Sequence, residues 1–342
     1  MTLRTYIVKR AILSIFVLWL VATFNFIAFS VSRGDPVNYM LSYQMDTETK
    51  QMLKVHYGYF DPWHVRYLKY LRNMFTFGVV PPYFGWSTFN KNFVAEGLYW
   101  RLGITTFLLG TALTGSIIIG ISLGVFAASK RGTKTDVGIM GSALLTWGTP
   151  VFFIAILAQF FFTRILYCRY GIKVFSTTWA TPNLPVRNLE FWAIALSQLT
   201  LPVLIMVLVG FGSWALYSRN MLIDALTQDF VITGRAKGLT KRALLYKYTL
   251  KSILPPIATL IALSIPNLVT GSIIVETIFG IEGIGKYFLK AVKVFDITIY
   301  IIDPAVAQAV FFIFAALVIV FNLMADIIYG VLDPRIRIGT RR

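Results

Sequence analysis

Cysteine is almost absent from this chain of 342 residues: Cys168 stands alone, so neither a disulfide framework nor a cysteine metal site can form within it. Histidine is nearly as scarce. Both copies, His56 and His64, fall in one segment between apolar runs, and no further ligands converge on them in the sequence. Charge is thin, at 14% of residues against roughly 25% in a soluble domain. It is also one-sided, with 15 acidic residues against 32 basic ones. No Gly-x4-Gly-Lys-Ser/Thr phosphate loop occurs, so ATP hydrolysis is not expected of this chain. A His-Glu-x-x-His pair is missing too, and with no histidine in an apolar run a Ser–His dyad at depth is excluded. The chain reads as a non-enzyme that holds no metal and no cofactor of its own.

Apolar residues fill the space: 57% of the chain is hydrophobic and mean hydropathy is +0.70. Charge-free intervals run over 11–32, 102–129, 137–163, 191–218, 252–275 and 304–325. Each exceeds the roughly 20 residues a helix needs to cross the hydrocarbon layer, where the backbone must satisfy its own hydrogen bonds. The expected fold is therefore an all-α integral membrane protein with six transmembrane helices, a basic, helical cytoplasmic loop and a small outer subdomain after the first helix. In these terms 1–32 is the N-terminal tail and first helix, and 33–101 the outer subdomain. Residues 102–329 form a five-helix core with the cytoplasmic loop 219–253, and 330–342 a cytoplasmic tail. The first run is too long for a signal core and lacks a small-residue cleavage site, so it is expected to be retained.

Orientation follows from Lys and Arg in short loops. Three lie in the N-terminal tail, three in 130–134, seven in 219–251 and four in the C-terminal tail, against seven in the two short loops of the other side. The long segment 33–101 escapes the rule. Both termini are therefore expected in the cytoplasm. The net charge of +17 flanks apolar spans rather than gathering on one soluble face, which points to anionic lipid headgroups and away from nucleic acid.

Within the outer segment, 47–57 and 62–75 have helical spacing, and the aromatic residues between Tyr57 and Phe77 suggest a position near the headgroups. Gly120 and Gly124 form a GxxxG pair that predicts close helix packing. Pro255, Pro256 and Pro266 predict irregularity in the fifth span. The polar residues expected at depth are Asn25, Gln159, Asn267, Glu276, Gln308, Asn322 and Asp326, with Glu276 and Asp326 near span ends where a carboxylate reaches water. Asn267, Glu276, Gln308 and Asn322 are the candidates for lining a pathway. Trp86, Trp100, Trp147, Trp179, Trp192 and Trp214 are explained more simply as interfacial anchors than as sugar-stacking rings.

The richest stretch is basic and helical, between the fourth and fifth spans. Asp229 comes early and Lys241, Arg242 and Lys247 late, as helix dipoles favour. Gly238 predicts a left-handed turn, and Thr240 a cap for a second helix. The pattern is a short helix, a turn, and a helix re-entering the membrane at Pro255. Here the chain resembles the inner-membrane permease subunits of ATP-binding-cassette importers of the peptide type, which serve dipeptides, oligopeptides or nickel. Their EAA loop places Gly238 in EAA-x3-G, and Ile232-Thr233-Gly234 stands where the general consensus has Glu-Ala-Ala. The peptide branch reads close to TARAKGL, and Thr233-Gly234-Arg235-Ala236-Lys237-Gly238-Leu239 differs from it only at Gly234, with Leu254-Pro255 following. The resemblance covers nearly the whole chain. It takes in Gly34-Asp35-Pro36-Val37, Thr149-Pro150, Leu201-Pro202, Glu276-Thr277-Ile278-Phe279, Gly283-Ile284-Gly285, Asp303-Pro304, Asn322, Asp326, Tyr329 and Asp333-Pro334-Arg335-Ile336-Arg337.

The resemblance implies half of a heterodimeric pore. It further implies a second permease subunit, two ATPase subunits that bind ATP and Mg, and an extracytoplasmic substrate-binding protein. A coupling helix over 229–240 would then dock on an ATPase through Asp229, Phe230, Thr233, Gly234, Arg235, Ala236, Lys237, Gly238, Leu239 and Thr240. Peptides are the first expectation for cargo, with oligosaccharides or nickel chelates as alternatives. A secondary transporter or channel is the reading of a different class, and it would need charges at the midplane that these spans lack.

Overall fold

A computed structural model describes residues 3–30, 61–81, 83–87, 92–180, 188–292 and 303–332. The expected helix over 47–57, His56, the 34–37 motif and the 333–337 motif lie outside the described residues. Helix α1 spans Leu3–Ser30 and α2 Trp63–Phe75. A two-stranded antiparallel ribbon follows, β1 Trp86–Ser87 with β2 Asn92–Phe93, Trp86 opposite Phe93. Then come α3 Val94–Ser129, α4 Lys134–Gly148, α5 Val151–Phe160, α6 Leu189–Ala225, α7 Asp229–Ala236, α8 Lys241–Ala243, α9 Leu250–Phe279, α10 Ile284–Val292 and α11 Pro304–Leu332.

Among the described residues, five helical stretches are long and apolar enough to cross a membrane: Thr5–Phe29, Val94–Ser129, Val151–Arg169, Leu189–Ala225 and Pro304–Ile327. Helix α9, 30 residues long, encloses the charge-free interval 252–275. The third interval departs from expectation. Instead of one helix over 137–163, the chain forms α4, breaks, and restarts as α5, continuing as a π-helix over Phe161–Arg169. Pro150 explains the break: its ring drives the preceding residue out of the helical region, and Thr149 sits at φ −88°, ψ 127°. Pro150 then caps the new helix, where its missing N–H costs nothing.

The fifth interval departs in the other direction, since helix runs unbroken through Pro255, Pro256 and Pro266. The irregularity lies upstream, in a π-helical stretch over Leu244–Thr249. There the Thr249 hydroxyl donates to the Leu244 carbonyl at 2.9 Å, supplying a donor within the wide turn.

The chain divides into two compact units. One comprises Met1–Ile7, Thr105–Glu282 and Met324–Arg342. In it, α3 and α6 approach with almost no side chain between them. A Cβ on Gly120 would lie 2.6 Å from the Phe211 carbonyl oxygen, and one on Gly124 2.5 Å from that of Ala215. The GxxxG pair thus lets two backbones touch. The other unit comprises Val8–Ile104 and Gly283–Leu323. Its core gathers Ala22, Phe26, Tyr70, Met74, Phe84, Leu98, Ile284, Tyr287, Val310 and Phe312. In this unit Asp303 caps α11 through Val306 N–H at 3.2 Å and accepts from the Ser87 hydroxyl at 2.8 Å, tying the ribbon to that helix.

Candidate functional site

The basic segment folds as its residues predict. Helix α7 has Asp229 in its first turn and Arg235 in its last, each charge opposing the partial charge of its helix end. At eight residues it is about 12 Å long. Turn hydrogen bonds from Leu226 N to Leu222 O, Thr227 N to Asp224 O and Gln228 N to Ala225 O carry the end of α6 round to Gln228, whose carbonyl accepts Val231 N–H at 3.0 Å to open α7. Gly238 closes the other end at φ +79°, where glycine is unstrained. Its N–H donates to Arg235 O at 2.9 Å, and Leu239 N–H reaches Gly234 O at 3.2 Å. Thr240 then caps α8, its hydroxyl accepting from Ala243 N–H at 3.2 Å. The segment is fixed at both ends.

Its two faces differ. Val231 and Gly234 turn inward. Gly234, the position that departs from the peptide-branch pattern, lies against the next helical stretch: a Cβ there would meet Leu244 Cδ2 at 2.6 Å and Leu239 Cδ1 at 3.4 Å. Asp229, Phe230, Ile232, Thr233, Arg235, Ala236, Lys237 and Gly238 are exposed, and Leu239 is half-buried. Beside Phe230 an open cleft of ≈ 470 Å³ is lined by Lys247, Tyr248, Lys251 and Ser252. A short helix held at both ends thus presents apolar and basic side chains on its exposed face. Its supports are solid: Val125, Ala128, Leu222, Ala225, Leu245, Ile253 and Ile257 form one buried cluster joining α3, α6 and α9 with the π-helical turn.

The pathway candidates fare unevenly. The sequence places Glu276 where a carboxylate reaches water; the structure buries it completely, and it accepts from the Thr105 hydroxyl at 2.7 Å. Gly280 ends α9 in a left-handed turn four residues on, and Ile281 after it is buried too. Gln308 is half-buried, Asn322 is exposed, and Asn267 falls on a part of α9 whose side chains lie outside the described residues. Polar groups at depth serve packing: Gln159 donates to the carbonyls of Thr177 and Ile278, at 3.1 and 3.2 Å. Gln198, which sequence reasoning missed, grips Ala180 by both its N–H, at 2.7 Å, and its carbonyl, at 3.1 Å. A glutamine inside a charge-free interval was the available signal.

A second missed feature lies at the start of α4. Asp136 forms a two-pronged ion pair with Arg219, both contacts 2.7 Å, and accepts Gly132 N–H at 3.0 Å. The Arg219 hydrogen bond holds the Asp136 carboxyl below the ordinary aspartate value of 3.8. A folded value below the unfolded one adds stability above pH of about 4, which is lost as pH falls through the lowered value. Asp136→Asn should cost about 1–2 kcal/mol at pH 7, because it removes the charge opposite a largely enclosed guanidinium and one of its two acceptor contacts there. Thermal melts in detergent will show the gap from wild type at pH 7, narrowing only below about pH 4. An equal gap at pH 3 would sink the ion-pair account.

Comparison with known proteins adds a separate line. A family described as "Binding-protein-dependent transport system inner membrane component" matches residues 120–338. The chain is 31% identical over 339 residues to the oligopeptide transport system permease protein AppB of Bacillus subtilis, covering 98% of this chain and 99% of that protein. It is 33% identical over 240 residues to the oligopeptide transport system permease protein OppB of Mycobacterium bovis, covering 70% and 71%. Against the dipeptide transport system permease protein DppB of Bacillus subtilis, identity is 27% over 335 residues, with 97% and 98% covered.

Proposed function

Because the chain belongs to the family of binding-protein-dependent transport system inner membrane components, we propose that it forms half of the translocation pathway of an ATP-driven peptide importer. Relatives named as oligopeptide and dipeptide permeases support peptides over oligosaccharides or nickel chelates. In this reading six helices cross the membrane, α9 being the sixth alongside the five apolar stretches, and both termini face the cytoplasm. A second permease subunit completes the pathway. Two ATPase subunits bind ATP and Mg and carry out hydrolysis, and an extracytoplasmic binding protein delivers cargo.

The observation that carries this reading is the helix fixed at both ends. Nucleotide binding draws two ATPases together, and that movement reaches a membrane span only through a contact that does not yield. Helix α7 offers one, with Asp229, Phe230, Thr233, Arg235, Ala236 and Lys237 on its exposed side. Gly234, Gly238, Leu239 and Thr240 set its angle to the following helix. Movement of α7 pushes on Leu244, and so on the stretch that runs into α9. Transport is alternating access, biased by the different affinities of nucleotide for the two states.

The experiment is to tag the chain, extract it gently in detergent and identify what co-purifies. Two ATPases and a second permease uphold the reading, while a stable homo-oligomer alone overturns it in favour of a carrier or channel. Of the pathway candidates, Asn267, Gln308 and Asn322 remain assigned to the route, and Glu276 is better assigned to helix packing through Thr105. Glu276→Gln keeps an acceptor for the Thr105 hydroxyl, so uptake should fall by less than about tenfold. A loss as complete as that from breaking the α7 turn would instead put the charge of Glu276 into the transport step.

A further inference from the structure

The segment after the first span contains a helix that the transport reading leaves unused. Helix α2 has 13 residues and is about 20 Å long. Its inner face is fixed by polar contacts. Tyr67 Oη lies 2.7 Å from Thr23 Oγ1. Asn25 Nδ2 donates to Tyr70 Oη at 2.9 Å and to the Gln308 carbonyl at 3.0 Å. The Phe26 ring lies 5.2 Å from that of Tyr67 and 5.3 Å from that of Tyr70. At the other end, the Phe75 and Phe77 rings lie 5.7 and 5.8 Å from that of Phe312.

These contacts give α2 a depth and a direction. Thr23, Asn25 and Phe26 lie inside the apolar stretch Thr5–Phe29, within two turns of its end. Gln308 and Phe312 lie inside the apolar stretch Pro304–Ile327. The Asn25–Gln308 bond sets α1 and α11 level, with Thr23 about 3 Å and Phe312 about 6 Å deeper than that bond. From Tyr67 to Phe75, about 12 Å of helix, the level therefore changes by less than one turn. Helix α2 runs from one span to the other, at a level about 9–12 Å inside the ends of the two apolar stretches.

Its outward face is divided lengthwise. Leu68 is 63% exposed and Phe75 37%, and they lie on one flank, seven residues apart. Lys69 and Arg72 are exposed on the other flank, Lys69 also holding Asp61. Beyond the helix, Phe77 and Val79 are exposed as well. An apolar strip beside a cationic strip, at this depth, suits a helix whose apolar side chains meet acyl chains while long basic side chains reach up towards the phosphates. We propose that α2 is an interfacial helix, with Leu68 and Phe75 in the acyl region and Lys69 and Arg72 on lipid phosphates of the same leaflet. Only the choice of leaflet rests on the orientation proposed above.

The test uses the assembled importer in vesicles containing anionic lipid. With Cys168→Ser as background, single spin labels are placed through Leu68→Cys, Phe75→Cys, Lys69→Cys and Arg72→Cys. Collisions are measured with oxygen, which partitions into lipid, and with a water-soluble nickel chelate. The labels at Leu68 and Phe75 should favour oxygen severalfold over those at Lys69 and Arg72. Preference for nickel at all four positions would place α2 in water, and shielding from both reagents would place a protein partner on it; either overturns the proposal. Uptake by the same vesicles is a separate readout, so failure of the coupling assignment would leave the lipid result standing.

Discussion

Gly238→Pro is expected to reduce uptake to the level of protein-free vesicles while the chain still inserts and accumulates in the membrane. Gly238 sits at φ +79°, whereas proline is held near −65°. Proline also removes the N–H that closes the helix on Arg235 O. Together these cost about 3 kcal/mol or more at a turn that lies outside the apolar core. The turn must therefore open, and α7 loses its fixed angle without the spans coming apart. Graded variants separate the causes, because a Cβ at Gly238 meets nothing within 4 Å. Gly238→Asn should retain most uptake, since asparagine visits the left-handed region. Gly238→Ala should sit between, at a backbone cost of about 1–2 kcal/mol. If Gly238→Pro transports normally, α7 is not the coupling element.

Gly124→Val should have the largest effect on the membrane core. A Cβ there would fall 2.0 Å from Ser218 Oγ and 2.5 Å from the Ala215 carbonyl oxygen. Rotating the serine cannot help against the backbone oxygen, so α3 and α6 must separate, at a cost of about 3 kcal/mol. The measured outcome is a fall in accumulated protein and in the melting temperature of what remains. Gly110→Ala and Gly141→Ala are internal controls, since a Cβ at either meets nothing within 4 Å. Should Gly124→Val melt like wild type, as the controls are expected to, the close approach of these helices is wrong.

Features carried by a few neighbouring residues were legible in the sequence. Gly238 and Thr240 marked their turn and cap, and Gly120 with Gly124 marked a contact of two helices, because each motif's physics is local. Hydropathy gave most apolar helices but missed the break at Thr149-Pro150. Counting apolar residues ignores what proline does to the residue before it. The prolines of α9 misled in the opposite sense, because the helix kept its course and placed a π-helical turn upstream. Long-range pairs were invisible. Asp136 and Arg219 are 83 positions apart, and Glu276 and Thr105 are 171 apart, so nothing near either residue announces its partner.

The Asn25 contacts also bear on how the chain is made. This residue enters the membrane with the first helix, yet Tyr70 lies 45 positions later and the Gln308 carbonyl 283 positions later. At a synthesis rate of about 5–20 residues per second, that second partner follows by roughly 15–60 s. During this interval an amide in the hydrocarbon must be sheltered by the insertion machinery, by other helices or by water drawn inward. Assembly of α1 with α11 is thus a post-insertion event, and a chain truncated before α11 would leave the first helix holding an amide donor with one of its two acceptors missing.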